Sequence, residues 1–132
     1  MKIIAVCGSM KLREQMLQVE EELTAHGFSV LLPNMNEAGE RAAELDQPDS
    51  RNQIILDHLH KIREADAVLV VNGRLKDIDG YIGANSFLEM GFAFAYGKKI
   101  FLLNDIPEQP NKIEIAGMRP VVLGGDLSHL SV

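Results

Sequence analysis

The sequence predicts an α/β fold, in which a doubly wound, five-stranded parallel sheet is flanked by helices. Two features predict this class. Short apolar runs alternate with amphipathic segments along the chain, which is typical of β-α units around a parallel sheet. In addition, 132 residues suffice for one hydrophobic core and are too few for two. We therefore expect one domain, residues 1–132, with strand order 2-1-3-4-5.

The first part of the chain provides two strands and the helix between them. Residues 2–7 form an apolar run that predicts the first strand. The segment "FSVLLP" predicts the second strand, which Pro33 closes. Between them an amphipathic helix ends at Gly27, a residue type favoured just after helices. Its apolar residues recur at helical spacing: Leu12, Met16, Val19 and Leu23.

A polar segment from residue 34 to 49 separates the second strand from the next helix. It contains almost no large apolar residues, so we expect a mobile loop with at most a short helix, of the kind that often covers a site. Asp49 or Ser50 is expected to cap the following helix. Helical spacing predicts the buried stripe of that helix: Ile55, Leu59 and Ile62.

The second half of the chain completes the sheet. Residues 67–71 predict the third strand, a loop over residues 72–82 leads into a helix that carries Glu89, and residues 99–103 predict the fourth strand. An irregular segment with one short helix follows. The fifth strand, "PVVL", is expected at an edge because Pro120 starts it. Together these elements predict a flavodoxin-like, or Rossmann-like, arrangement.

Composition narrows the choice of partners. A net charge of -6 and a pI near 5.1 argue against a broad binding surface for nucleic acid or anionic membrane. We expect small-molecule ligands or further copies of the chain. The start "MKIIAVCGSM" is better explained as a buried strand than as a signal peptide, because its apolar run stops at Cys7. Cys7 is the single cysteine, so we expect it to pack as a small hydrophobe in a cytoplasmic protein.

Two loops are expected to flank the ligand crevice, which in such sheets lies at the carboxyl ends of the strands. The loop after the third strand begins at Asn72. The loop after the first strand precedes a helix, where small residues with free backbone N–H groups favour an anion and Lys11 adds positive charge. A tight turn with a helix cap explains this loop equally well. The loop consists of Gly8, Ser9, Met10 and Lys11.

Glu89 is the only charged residue between Gly80 and Gly97. An ionised, unpaired carboxylate in such an apolar run costs several kcal/mol. Asn85 and Ser86 lie four and three residues earlier, so the three polar groups share the helix face that points toward the crevice. Glu89 is therefore either a functional carboxylate in the crevice or a carboxylate bonded to a neighbouring loop or subunit.

The sequence does not predict a metal site or a cofactor. His58 and His60 are two apart on a helix and face different directions, so they do not form a chelating pair. An FMN-binding protein would need an aromatic pair to sandwich the flavin, and none is evident; a colourless purified protein would exclude this alternative. Asp57 has a simple surface explanation, an i,i+4 pair with Lys61.

Three segments resemble one family: "VCGSMK", "HKIREADAVLVVN" and "LEMGFAFAYGKKIFLLN". They are similar to the nucleoside 2-deoxyribosyltransferase superfamily, which includes the 2′-deoxynucleoside 5′-phosphate N-glycosidases. The resemblance covers most of the chain. Its most specific part is the helix pattern of Glu, a Gly-aromatic-Ala stretch and Gly-Lys before a strand.

The resemblance implies that Glu89 is a nucleophile that attacks C1′ of the sugar, releases the base and forms a glycosyl ester. Water or a second base then accepts the sugar, with retention of configuration. The turn at Ser9 would face the sugar or its 5′-phosphate, and Lys11 favours a nucleotide. Asn85 and Ser86 would orient Glu89. The implied assembly is a homodimer or larger homo-oligomer, in which one subunit completes the pocket of another.

The sequence departs from the family pattern in two places. The family has an Asp that contacts the sugar or base. Asp57 is the residue nearest to that position but is one residue out of register, and His58 stands at the position itself. The loop before Glu89 contains extra material, "RLKDIDGYIG", from which Asp77, Asp79 or Tyr81 could reach the substrate. A nucleotide-binding or sensing module that has lost turnover is therefore the alternative to an enzyme.

Overall fold

The computed structural model describes residues 1–34 and 47–132. Most of the polar segment predicted as a mobile loop lies outside these described residues. The sheet has five parallel strands in the predicted order, β2-β1-β3-β4-β5. The strands are β1 (Ile3–Cys7), β2 (Ser29–Leu31), β3 (Ala67–Val70), β4 (Lys99–Leu102) and β5 (Val121–Val122).

Helices cover both faces of this sheet, as right-handed crossovers between parallel strands require. None of the helices in the described ranges is long and apolar enough to cross a membrane. In the part of the chain that the structure describes, two short 3-10 turns, Met10–Leu12 and Leu127–His129, add to the helices. The helices are α1 (Arg13–Ala25), α2 (Pro48–Glu64), α3 (Ala84–Ala95) and α4 (Lys112–Gly117).

The core consists of two layers because side chains alternate between the two faces of a strand. Ile4 and Val6 of β1 belong to the layer that contains the apolar stripe of α1. Ala5 and Cys7 belong to the opposite layer, with apolar residues of α2 and α3. The β1 side chains after Ile3 are therefore buried on both faces, which explains the continuous apolar run. Cys7 faces the layer of α2 and α3.

The start of α2 differs from the prediction that Asp49 or Ser50 caps it. The helix begins at Pro48, and the N-cap residue is Gln47, whose side chain makes no capping hydrogen bond. Proline suits the first helical position because its missing N–H would have no intrahelical partner there. The prediction from cap chemistry was wrong by two or three residues because it ignored this preference.

The buried stripe of α2 also differs from the prediction. Ile62 is fully buried, but Ile55 and Leu59 are only half-buried. The other buried residue of the described helix is His58, four residues before Ile62 and on the same face. A polar ring thus takes a core position. The edge strands follow the prediction more closely: β5 is a short edge strand, and β2 ends two residues before Pro33.

Candidate active site

A cavity of about 740 Å³ opens at the carboxyl ends of β1 and β3. Strand order reverses at this point of the sheet, which is where doubly wound folds bind ligands. The turn after β1, the inner face of α2, the loop after β3 and the first turns of α3 line it. Most of the residues proposed from the sequence line this cavity: Gly8, Ser9, Met10, Lys11, Asp57, Asn85, Ser86 and Glu89.

The carboxylate of Glu89 is largely enclosed, with 16% of its side chain exposed. Burial raises its pKa from 4.5 to about 8, because a charge loses hydration there. A hydrogen bond from the Cys7 thiol and the positive charge of Lys61 lower the pKa and partly offset this effect. Burial thus favours the neutral form of Glu89, whereas Cys7 and Lys61 favour the ionised form.

Cys7 and His58 are buried groups next to Glu89. Nε2 of His58 lies 3.5 Å from Sγ of Cys7 and 3.7 Å from Oε2 of Glu89. Burial is the main cause that lowers the pKa of His58 to about 4, and the charge of Lys61 adds to it, so its ring is neutral at pH 7. Burial and the nearby Glu89 raise the pKa of the Cys7 thiol, which therefore stays protonated.

Sequence reasoning assigned this position of α2 to Asp57 and overlooked the role of its neighbour. Asp57 lines the cavity, but its side chain is exposed, whereas His58 is buried beside Glu89. A signal was present in the sequence, since His58 lies four residues before the core residue Ile62. The catalytic role of Asp57 stays a prediction.

Basic side chains line the mouth of the cavity, although the whole chain is acidic. The ε-amino group of Lys61 donates a hydrogen bond to the carbonyl of Leu32, at 2.8 Å, and lies on the same cavity. Lysine and arginine at this position can attract an anionic ligand despite the net charge. The basic residues are Lys11, Arg51, Lys61 and Lys76.

The turn after β1 is a capped tight turn, which is one of the two interpretations proposed from the sequence; the anion site stays a prediction. The hydroxyl of Ser9 accepts a hydrogen bond from the backbone N–H of Lys11, at 3.2 Å, and caps the 3-10 turn. Gly8 approaches its surroundings closely, because a Cβ there would lie 3.0 Å from Sδ of Met16 and 3.3 Å from the carbonyl of Val71. The turn can pack this closely against α1 and the end of β3 only because Gly8 lacks that atom.

The loop after β3 places some candidates in the cavity and others outside it. Tyr81 lines the cavity. Asp79 instead pairs with Arg74 at 2.7 Å, and Asp77 lies 3.9 Å from the same guanidinium. These aspartates point toward solvent, so Tyr81 is the one of the three loop candidates that the structure brings to the site. Nζ of Lys76 lies 5.3 Å from the centre of the Tyr81 ring.

Asn72, which the sequence suggested as a substrate-binding residue, holds two loops together instead. It is fully buried, and Asn104 donates hydrogen bonds to both its side-chain and its main-chain oxygen, each at 2.9 Å. Its amide donates to the carbonyls of Asn104, Asp105 and Gly80 at 3.0, 3.1 and 3.3 Å. Both side-chain donor and acceptor groups are used, and the residue does not line the described cavity.

Comparisons with known proteins agree with this architecture. A family model described as nucleoside 2-deoxyribosyltransferase matches residues 6–119. No curated protein matches the chain. Among solved structures, a 2-deoxyribosyltransferase from Bacillus psychrosaccharolyticus is similar, with 20% identity and a TM-score of 0.59 over 76% of this chain and 70% of that chain.

Two further structures share the fold. A CMP N-glycosidase from Clostridium botulinum has 22% identity and a TM-score of 0.55, covering 92% of this chain and 84% of that one. A 2-deoxyribosyltransferase from Leishmania mexicana has 20% identity and a TM-score of 0.53, covering 79% and 66%. The family match extends over most of the sequence, from the end of β1 to the start of the last strand. The chain belongs to the nucleoside 2-deoxyribosyltransferase family.

Proposed function

We propose that the protein cleaves or transfers the N-glycosidic bond of a (deoxy)nucleoside or its 5′-monophosphate through a covalent glycosyl intermediate on Glu89. One observation carries the proposal: an enclosed carboxylate stands in the cavity at the point where strand order reverses. Family membership supports the general reaction class, and the nucleophile is our assignment.

In the proposed first step an oxygen of ionised Glu89 attacks C1′ of the sugar. The bond from C1′ to the base nitrogen breaks, and the base leaves with the electron pair and takes up a proton. Cys7 and Lys61 stabilise the reactive ionised form, because both lower the pKa of Glu89. In the second step water or another base attacks C1′ and releases Glu89, so two displacements retain the configuration.

We assign the remaining polar groups of the cavity to substrate placement. Asn85 and Ser86, on the helix face of Glu89, are proposed to orient the carboxylate and the sugar. Asp57 is proposed to contact the sugar or the leaving base from α2. His58 is neutral at pH 7 and has a proton on only one of its two ring nitrogens. It is therefore not the acid that protonates the base.

The basic mouth of the cavity favours a substrate that carries a 5′-phosphate. Ser9 and the backbone of the β1 turn lie beside Lys11, and Lys61 lines the same cavity. These groups suit a phosphate, which accepts hydrogen bonds and carries negative charge. We therefore expect turnover of a 5′-monophosphate to exceed that of the matching nucleoside.

The test is chromatography of the free base after incubation with deoxynucleosides and their 5′-monophosphates, with and without an added acceptor base. Glu89→Ala is the test variant, and Glu114→Ala, on the exposed side of α4, is the matched control. Base release that disappears only in Glu89→Ala supports the proposal. Base release at an equal rate in both variants contradicts it.

A second function is favoured by one specific feature, the histidine beside Glu89 where the family resemblance implies an aspartate. A nucleotide-binding or sensing module would need the cavity but not the aspartate. It predicts thermal stabilisation by a nucleotide with no release of base from any substrate in the panel. The same samples therefore separate the two functions.

We further propose a cytoplasmic homodimer or larger homo-oligomer. The outer side of α3 exposes 42% of Leu88 and 56% of Phe94, a pair of large apolar side chains suited to an interface. The free thiol of Cys7 suits a reducing compartment. Light scattering of Phe94→Glu, compared with the unaltered chain, tests the assembly: a fall in mass to one chain is expected, and an unchanged mass contradicts this interface.

A further inference from the structure

Three side chains with metal-binding atoms converge at the inner end of the cavity from three different elements. Cys7 at the end of β1 provides Sγ, His58 of α2 provides Nε2, and Glu89 of α3 provides a carboxylate oxygen. All three atoms lie within 4.8 Å of one another. Sulfur, imidazole nitrogen and carboxylate oxygen are the ligand atoms that Zn²⁺ takes in proteins.

The two distances from His58 to the other ligand atoms match a tetrahedral metal site. Tetrahedral angles and ordinary zinc bond lengths separate sulfur from nitrogen by about 3.6 Å and nitrogen from oxygen by about 3.4 Å. The corresponding distances are 3.5 Å from Cys7 to His58 and 3.7 Å from His58 to Glu89. These two distances lie within a few tenths of an ångström of the tetrahedral values, and the third, from Cys7 to Glu89, is no longer than 4.8 Å.

The charges of the cluster also fit a divalent cation. A thiolate and a carboxylate together neutralise Zn²⁺, and the imidazole binds as a neutral ligand, so the complete site has no net charge. Such neutrality matters because Cys7 and His58 are buried and a net charge there would lose its hydration. Without a metal the same groups stay neutral only by holding protons.

The orientation of His58 places Nε2, rather than Nδ1, beside the other two ligand atoms. The ring is 96% buried, with a relative exposure of 4%. Nε2 faces Cys7 and Glu89, whereas Nδ1 is buried with no well-aligned hydrogen-bond partner among the residues described. The backbone of Val6 nevertheless favours a proton on the ring. A metal on Nε2 would place that proton on Nδ1, toward the backbone, as metal-bound histidines commonly have it.

We propose that Cys7, His58 and Glu89 form a site for one Zn²⁺-type ion, whose fourth position is open to the cavity. Three protein ligands and one open position are typical of zinc sites that exchange water or small molecules. The sequence-based expectation of no metal considered only His58 with His60, which is exposed. The proposed site instead uses partners that are distant in sequence.

The binding of the metal does not depend on the proposed reaction, but one consequence rests on it. If Glu89 is the nucleophile, a bound Zn²⁺ occupies its oxygen and stops release of the base. The metal-free protein is then the active enzyme, and a chelator restores activity. This would make the site a point of inhibition by zinc.

The experiment is a titration of the metal-stripped full chain with Co²⁺, which reports thiolate ligation by an ultraviolet charge-transfer band and four-coordination by intense visible bands. We expect one equivalent of Co²⁺ and competition by Zn²⁺. Cys7→Ser should abolish the charge-transfer band. His58→Gln and Glu89→Gln should each weaken binding of Co²⁺ by about 100-fold. This is the upper end of the loss in affinity that follows when a residue that only supports a metal ligand is replaced. His60→Gln, on the same helix, should bind as the unaltered chain.

Absence of the charge-transfer band in the unaltered chain would overturn the proposal, as would equal affinity in His58→Gln and His60→Gln. Circular dichroism of each variant checks the fold. If Cys7→Ser unfolds, His58→Gln and Glu89→Gln still test the proposal. The spectra are recorded without nucleotide, so failure of the proposed glycosyl reaction leaves this test unaffected.

Discussion

Glu89 has neighbours that act on its charge in opposite directions. Enclosure in the cavity removes water and raises its pKa to about 8, while the Cys7 thiol and the Lys61 ammonium group lower it. A nucleophile in such a setting is weakly hydrated when ionised, which favours attack on carbon. The same setting means that only a fraction of the protein has ionised Glu89 at pH 7.

This balance predicts the pH dependence of the reaction. Since attack requires ionised Glu89, kcat/KM in the presence of a chelator should rise by about tenfold per pH unit below the pKa and level off above pH 8. Lys61→Gln should move the midpoint to higher pH, because it removes a charge that lowers the pKa of Glu89. A profile that is flat from pH 5 to 9 would contradict the assignment of the nucleophile.

The same pKa predicts how stability changes with pH. Between pH 4.5 and about 8 the unfolded chain loses the Glu89 proton while the folded chain keeps it. The free energy of unfolding therefore falls as pH rises, by up to about 1.4 kcal/mol per pH unit from this group. Glu89→Gln removes that slope.

Urea unfolding at pH 5 and pH 8.5 measures the effect. The variant and the unaltered chain should differ little at pH 5, and the variant should be clearly more stable at pH 8.5. The contribution of His58 is common to both chains and cancels in the comparison. A variant that is less stable at pH 8.5 would show that the charge of Glu89 is stabilised rather than opposed by its surroundings.

At the scale of elements, the loop that leads into α3 is fixed by Asn72. This side chain connects the end of β3 to the end of β4 through its bonds with Asn104 and Asp105, and it also bonds the carbonyl of Gly80. Gly80 has a φ of +72°, and a Cβ there would lie 2.6 Å from the carbonyl of Asp105. The loop therefore has one close-packed path to the start of α3.

Asn72→Ala should destabilise the protein by about 3 kcal/mol, because buried backbone groups lose their partners. It should also lower kcat more than it raises KM, since the start of α3 positions Glu89 while Asn72 does not line the cavity. Thermal unfolding and steady-state kinetics measure the two effects, with the exposed Asn85→Ala as a comparison for stability. A loss of less than about 0.5 kcal/mol would contradict this role.

The elements were largely predictable from the sequence, and the contacts between them were not. Apolar runs fix where β1 and β3 lie, and their burial on both faces implies the parallel sheet. Cys7 is buried as expected, yet its partner His58 lies 51 residues away on another element. Periodicity identifies the buried side of a helix but not the groups that oppose it across the core.

At the scale of the whole molecule, topology determines where the chemistry occurs. The order β2-β1-β3-β4-β5 opens the cavity between the ends of β1 and β3, and basic side chains gather there in a chain of net charge -6. Asn72 shows the limit of inference from topology, because it follows a central strand at the correct edge and still does not line the described cavity. Position at a strand end makes a residue a candidate, and its hydrogen bonds decide its role.

The central claim is the covalent glycosyl ester on Glu89. The most direct test is rapid acid quenching during turnover, followed by intact mass measurement and peptide mapping. We expect a mass increase equal to the glycosyl residue of the substrate, which is the free sugar less one water, located on the peptide that contains Glu89 and absent from Glu89→Gln. Base release by Glu89→Gln at the rate of the unaltered chain, with no adduct on either protein, would contradict it.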